Sequence, residues 1–321
     1  MSGSSWGTTA LLVLHLVGGG ALPREVPMNG RWLRKIHRIL ALSLLLIPAA
    51  GIATEAPAAT GEEVQARIRR DVAAGLPVVA HVIVALCDNE HQGINPVDSR
   101  LGNGQDPPSN LYWGALYGVR SFFVREGGWT RLAVAKPADE RILDRVVLRR
   151  HVEREGRRTT VFVVADAWDG AEIKAAIERF LTCAGGGAPE TVRLVQGADS
   201  LSLAAGGAAH LVAYVGHDGL MEFSLEDPAQ RAEGAQASSS MVLACSSRHY
   251  FLEKLRSAGS HALLLTTGLM APEAYTLDAA IRSWAEGATP AETRAAAADA
   301  YDRYQPCGRQ AALNLFWSGA P

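Results

Sequence analysis

The sequence predicts an α/β fold built on a mostly parallel sheet covered by helices on both faces. Three observations carry this. The run LPVVAHVIVALCD, Leu76 to Asp88, is almost continuously apolar and rich in β-branched residues, as strands covered on both faces are. Further apolar runs of strand length, TVFVVADAW, LVAYV, MVLA and HALLL, recur along the chain. Amphipathic or alanine-rich stretches of helical length separate them, and that alternation favours parallel pairing over hairpins alone. With 321 residues, 48% hydrophobic and 20% charged, the chain is large enough to bury one sizeable core.

The N-terminal part reads differently. Arg31, Arg34, Lys35 and Arg38 form a basic cluster, and Ile39 to Ala50 is apolar or small. Gly51-Ile52-Ala53 then offers a small-x-small cleavage site, so residues 1–53 read as a signal peptide or targeting segment. The apolar run is short for a bilayer span, which makes an uncleaved membrane anchor the second reading. TALLVLHLVGGGAL, ahead of the basic cluster, is interrupted by His15 and glycines, and Met28 is a candidate true start. The protein is therefore expected to be exported, to a periplasm or outside the cell, as a mildly acidic mature chain. A net charge of −2 with no long basic block argues against a nucleic-acid partner.

The remaining elements follow in order. Residues 54–75 read as a linker and a short amphipathic helix from Glu62 to Ala74, and residues 76–321 as a single domain. After the first core strand comes a Gly/Asn/Pro-rich loop of about twenty residues to Asn110, longer than a compact domain usually spends on a connection. Leu111 to Glu126 predicts a helix with core-packing aromatics. WTRLAVA is a short strand, and the segment from Arg145 to Trp168 two strands joined at Glu155-Gly156-Arg157, with the basic residues from Arg149 to Arg158 on a solvated hairpin. Asp169-Gly170 starts a helix from Ala171 to Cys183, and TVRLVQ reads as a short strand. RHYFLEKLRSAG is a helix stopped by Gly259, HALLLTTG a buried strand, and APEAYTLDAAIRSWAEG a helix. Thr289 to Trp317 is largely helical with a break near Pro306-Cys307-Gly308.

The chemistry concentrates between Leu211 and Cys245. One apolar strand runs into Gly216-His217-Asp218-Gly219 and the next delivers Ala244-Cys245. Parallel strands present their C-terminal ends at one edge, where ligands bind, and a thiol beside an imidazole is a nucleophile beside its base. The N–H of Gly219 or Asp218, together with that of Cys245, would serve a developing oxyanion. No GxSxG, GxxxxGK or GxGxxG motif is present, which sets aside serine-hydrolase, NTPase and dinucleotide readings.

This pattern, apolar strand to His217 with glycine close by and apolar strand to Ala244-Cys245, resembles the signature of caspase-like cysteine peptidases, the group of caspases, legumain, gingipain and clostripain. The resemblance implies a caspase/hemoglobinase α/β fold, with Cys245 as nucleophile, His217 as base, no cofactor, and a peptide or protein substrate cleaved through a thioester acyl-enzyme. The family usually places glycine directly after the histidine, where this chain has Asp218. The resemblance also places substrate-binding residues after the first core strand, here Asp88, Asn89, Glu90 and His91, where an acidic pocket would suit a Lys or Arg side chain.

Two other readings stand beside this one. The first is a catalytically silent binding module of the same fold, motivated by Asp218. The second is a metal-dependent hydrolase using Asp88, His91, His217, Cys245 and His249, although no HExxH or paired CxxC is present. The four cysteines are few for a disulfide scaffold; Cys183 and Cys307 are the pair expected to bridge, and Cys87 a partner for a reversible bridge to Cys245.

Overall fold

The computed structural model describes residues 58–319 apart from 197–198 and 227–228. The expected targeting segment over residues 1–53, the candidate start at Met28 and residues 54–57 of the expected linker lie outside the described residues. The elements are α1 (Gly61–Ala73), β1 (Val78–Ala85), α2 (Val119–Arg125), β2 (Thr130–Leu132), β3 (Ile142–Arg154), β4 (Arg157–Trp168), α3 (Ile173–Ala184), β5 (Pro189–Gln196), β6 (Asp199–Gly206), β7 (Leu211–Val215), β8 (Ser239–Leu243), α4 (Ser247–Ser257), β9 (His261–Thr266), α5 (Ala274–Ala285), α6 (Pro290–Tyr304), α7 (Arg309–Leu315) and β10 (Phe316–Trp317).

Among the described residues, eight strands form one sheet in the order β10-β9-β8-β7-β1-β4-β3-β2. β4, β1, β7, β8 and β9 run parallel, while β2, β3 and β10 add antiparallel edges. β1 lies inside the sheet, and all eight of its residues are buried. Its alternate side chains divide between two cores, as the period of two requires. Val78, Ala80, Val82 and Val84 face a core completed by α1, α2, α5 and α6; Val79, Ile83 and Ala85 face one completed by α3, α4 and the β5–β6 hairpin. Helices thus cover both faces.

Local chemistry sets the turns. Glu155 and Gly156 both have positive φ, 49° and 72°, the pair that a two-residue hairpin turn demands, and they join β3 to β4 where the sequence places the joint. The helix expected over Leu111 to Glu126 begins only at Val119. A Cβ on Gly114 would lie 2.1 Å from the Pro108 carbonyl oxygen, so that segment is pressed onto the preceding loop. The Asn110 side chain also accepts from the Tyr112 and Cys87 N–H groups and donates to the Cys87 and Asn103 carbonyls, bonds that compete with a helix start. TVRLVQ becomes β5, paired with β6 in a separate two-stranded sheet rather than in the main one. The helical reading of the C-terminus gives way to β10 at Phe316 and Trp317.

Two expectations about side chains change. All four cysteines are free. Cys183 is buried in the second core and Cys307 is exposed beside α7 on the other face, so their expected bridge is absent. Arg154 is not solvated with the rest of its hairpin: its guanidinium is buried and donates to the Ala285 carbonyl at 2.9 Å and to Gln65.

The edge of the sheet opposite the strand C-termini is tied down by polar groups. Arg67 of α1 donates to the carbonyls of Ala208, Ala209 and Ala237. His210 Nδ1 accepts the Val79 N–H at 3.2 Å, which fixes the ring proton on Nε2, 3.1 Å from Asp71 Oδ2. Burial, reinforced by the Arg67 charge, pushes the His210 pKa down to about 4 despite Asp71. The unfolded chain takes up a proton on this residue near pH 6.5 that the folded chain refuses until about pH 4. Stability from this site is therefore complete above pH 6.5 and declines as the pH falls toward 4, by up to about 3 kcal/mol. Urea unfolding at pH 7 and pH 4.5 should show this loss in the wild type and a flatter dependence in His210→Gln.

Candidate active site

β7 and β8 are adjacent, parallel and in register, with Val215 opposite Leu243. The Gly216 N–H donates to the Leu243 carbonyl at 3.3 Å and carries the pairing past the strand ends. Two residues beyond that register, His217 and Cys245 leave neighbouring strands at the same edge, where strand spacing is about 4.8 Å.

The Cys245 side is a strand-to-helix elbow. Ser246 adopts a left-handed conformation, φ 50°, before α4 begins. Reciprocal buried bonds lock this geometry: Thr266 N–H donates to Ser247 Oγ at 2.9 Å, and Ser247 N–H donates to Thr266 Oγ1 at 3.1 Å. The Ser247 hydroxyl donates to the Val242 carbonyl, and the Thr266 hydroxyl to that of Ala244, the residue before the cysteine. Cys245 Sγ itself lies against the loop after β9, 3.5 Å from the Met270 nitrogen that donates to it and 3.7 Å from the Met270 oxygen. That loop is anchored by the Thr267 N–H on Leu315 and the Ala271 N–H on the Tyr301 hydroxyl.

The His217 side is equally constrained. Gly216 has φ 152°, and a Cβ there would approach the Ala85 carbonyl oxygen to 2.9 Å, so the chain turns off β7 only with glycine. The buried Tyr214 hydroxyl donates to the His217 carbonyl at 2.8 Å. The imidazole is mostly buried, and its Nε2 lies 2.8 Å from Glu222 Oε2. Asp218 bonds the following turn and makes no hydrogen bond to the ring among the described residues. Its carboxylate is fully buried and caps the following 3-10 turn, Gly219–Met221, by accepting the Leu220 N–H at 3.1 Å. Its second oxygen has no hydrogen-bond partner among the described residues, and burial raises the pKa to about 7 against the Leu220 bond, with the Glu222 charge adding to the rise.

Among the described residues, no hydrogen bond joins His217 to Cys245: the thiol faces Met270 and Nε2 faces Glu222. Substrate-free sites often hold such bonds open. The backbone N–H groups of Asp218, Gly219 and Cys245 donate to no backbone carbonyl among the described residues, although Asp218 and Gly219 are themselves buried.

The loop after β1 is built around Asp88, which is fully buried. Its oxygens accept from the Glu90 and His91 N–H groups, from His91 Nδ1 at 2.9 Å and from Gln105 Nε2 at 2.9 Å. Burial alone would raise its pKa, but the Gln105, Glu90 and His91 donors outweigh it and hold the carboxyl below its ordinary value. Asn89 is similarly engaged, bonded through both ends of its amide to Val97. Asp88 is therefore the pillar of the loop rather than a free acceptor in a pocket. Glu90 and His91 are the exposed members of the expected set.

Cys87 is buried, and burial pushes its thiol up to about 11. β7 stands between β1 and β8, which places strands two apart at about 9–10 Å, beyond the about 7 Å Cα separation a disulfide tolerates. The reversible bridge from Cys87 to Cys245 is thus not supported. Nor do Asp88, His91, His217, Cys245 and His249 gather: among the described residues no three His, Cys, Asp or Glu side chains are grouped to hold a metal.

Comparison with protein-family models, with curated proteins and with solved structures finds no match. Sequence reasoning singled out His217, Asp218 and Cys245; the structure adds Glu222, Ser247, Thr266 and Met270 as their neighbours. Ser247 and Thr266 become visible only once β8 and β9 are known to be neighbours.

Proposed function

We propose that the protein is an exported caspase-like cysteine peptidase that cleaves peptide bonds through a His217/Cys245 dyad. The observation that supports this best is the β7/β8 register, which brings the two residues to one sheet edge beside unused backbone N–H groups. In this reading the Cys245 thiol leaves Met270 and gives its proton to His217 as sulfur attacks the substrate carbonyl. The resulting oxyanion is held by the Cys245 N–H and that of Asp218 or Gly219. Collapse breaks the C–N bond, the proton on His217 passes to the leaving amine, and a thioester remains. Water gives a proton to His217 as it attacks the thioester, the C–S bond breaks to release the carboxylic acid product, and the departing thiolate takes that proton back from His217.

Asp218 is compatible with this chemistry because its side chain caps the turn and leaves its own N–H unused. In this reading Glu90 and His91, the exposed members of the loop after β1, are the ones that meet a substrate. The second reading, a peptidase-like binding module without turnover, is favoured by one observation: the thiol rests on the Met270 backbone rather than on the imidazole. No helix among the described residues is long and apolar enough to cross a membrane.

A peptide library incubated with the wild type and with Cys245→Ala separates the readings. Cleavage by the wild type alone is expected. No cleavage by either, with library peptides still retained by the folded protein, would favour the binding module.

A further inference from the structure

We propose that Glu222 is a positioning residue for His217, holding the imidazole in the tautomer that accepts the Cys245 proton. This rests on the dyad reading above. Nε2 lies 2.8 Å from Glu222 Oε2, and a carboxylate only accepts, so the ring proton sits on Nε2 and the lone pair on Nδ1. Nδ1 bonds to no protein group among the described residues. It is the nitrogen left for the thiol.

The bracket that places Glu222 is short and internally braced. Asp218 caps Leu220, and both the Glu222 and Phe223 N–H groups donate to the Gly219 carbonyl at 3.0 Å. Five residues of chain thus fold back so that a carboxylate leaves the turn and meets the ring that entered it. When the thiol proton moves to Nδ1, the imidazolium lies between the thiolate and the Glu222 carboxylate. Glu222 keeps its negative charge throughout and takes no proton. Of the titratable groups at this bracket, Glu222 bonds the ring, Asp218 caps the turn, and the Tyr214 hydroxyl bonds the His217 carbonyl.

Glu222→Gln retains an oxygen that accepts the Nε2 proton but removes the charge. Its kcat/KM should fall about tenfold, and the limb of the pH–rate profile set by His217 should move to lower pH, because the imidazolium has lost its counter-charge. Glu222→Ala should lose more activity than Glu222→Gln. The unfolding midpoint should not move, since Glu222 is 44% exposed. Unchanged rates together with an unchanged pH profile would overturn the proposal.

A second readout needs no turnover. Nitrogen chemical shifts of His217 in the resting wild type should report the Nε2–H form, and a predominant Nδ1–H form would overturn the proposal even in an active enzyme. Absence of any Cys245-dependent hydrolysis would instead overturn the dyad reading and this role with it.

Discussion

In the proposed peptidase, replacing His217 with alanine is expected to lower kcat/KM against the best peptide by about 10²- to 10⁴-fold, the contribution of a positioned general base. The effect should be kinetic rather than structural. Among the described residues the ring makes one side-chain hydrogen bond, to a partly exposed glutamate, while the backbone around it is held independently by Tyr214, Gly216 and the Asp218 cap. Thermal unfolding of His217→Ala should therefore stay close to the wild type. Steady-state kinetics beside a melting curve checks both halves, and equal activity in the two proteins would remove the histidine from the chemistry.

The largest effect on stability is expected from Asp166→Ala, at about 3–5 kcal/mol. Asp166 on β4 is fully buried and accepts from Arg145 Nε at 2.5 Å and Nη2 at 2.6 Å, with His81 Nε2 at 3.1 Å. His81 is held in the matching tautomer by the Gly206 N–H on Nδ1 at 2.7 Å, and Arg145 also grips Glu190 of β5. The network links the main sheet to the β5–β6 hairpin, and removing the carboxylate leaves a buried guanidinium with one remaining charged partner. Against a usual folding stability of about 5–15 kcal/mol that loss is severe. Urea unfolding measures it, and a change below about 1 kcal/mol would show that the network is replaceable.

The same residue fixes a second acid window. Burial opposes ionisation of Asp166, but the bonds from Arg145 and His81 outweigh it and bring the carboxyl down to about 2. A depressed acid stabilises the fold fully above the unfolded value near pH 4 and loses that contribution as the pH falls toward 2. His210 acts earlier, between about pH 6.5 and 4. Acid unfolding should therefore respond to two separate mutations in two separate ranges.

The parallel strands were legible because burial on both faces forces apolar runs, continuous in β7 and nearly so in β1, and shorter within β8 and β9. Their ends were legible because His217 and Cys245 each follow such a run. Irregular segments were less so. The stretch from Leu111 to Gly118 carries helix-compatible residues, yet Gly114 pressed on Pro108 and the Asn110 side-chain bonds decide otherwise. Asp88 looked like a pocket acid because its sequence neighbours are polar. Its donors include Gln105, which only the folded loop brings to it. Glu222 could have been suspected from its five-residue spacing to His217, but no helical or strand period predicts that contact, since the turn between them is set by a buried aspartate cap.

The four cysteines provide the most direct test of the central claim. Cys307 is exposed and, among the described residues, has no histidine as a hydrogen-bond partner, Cys87 and Cys183 are buried, and Cys245 is partly accessible. Treating the native protein with a limiting amount of a small thiol electrophile and mapping the adducts by mass spectrometry compares Cys245 with Cys307 inside one molecule. The dyad predicts that Cys245 is modified faster than the more exposed Cys307, and that His217→Ala abolishes this advantage. Preferential modification of Cys307, or a Cys245 rate unaffected by His217→Ala, would contradict it.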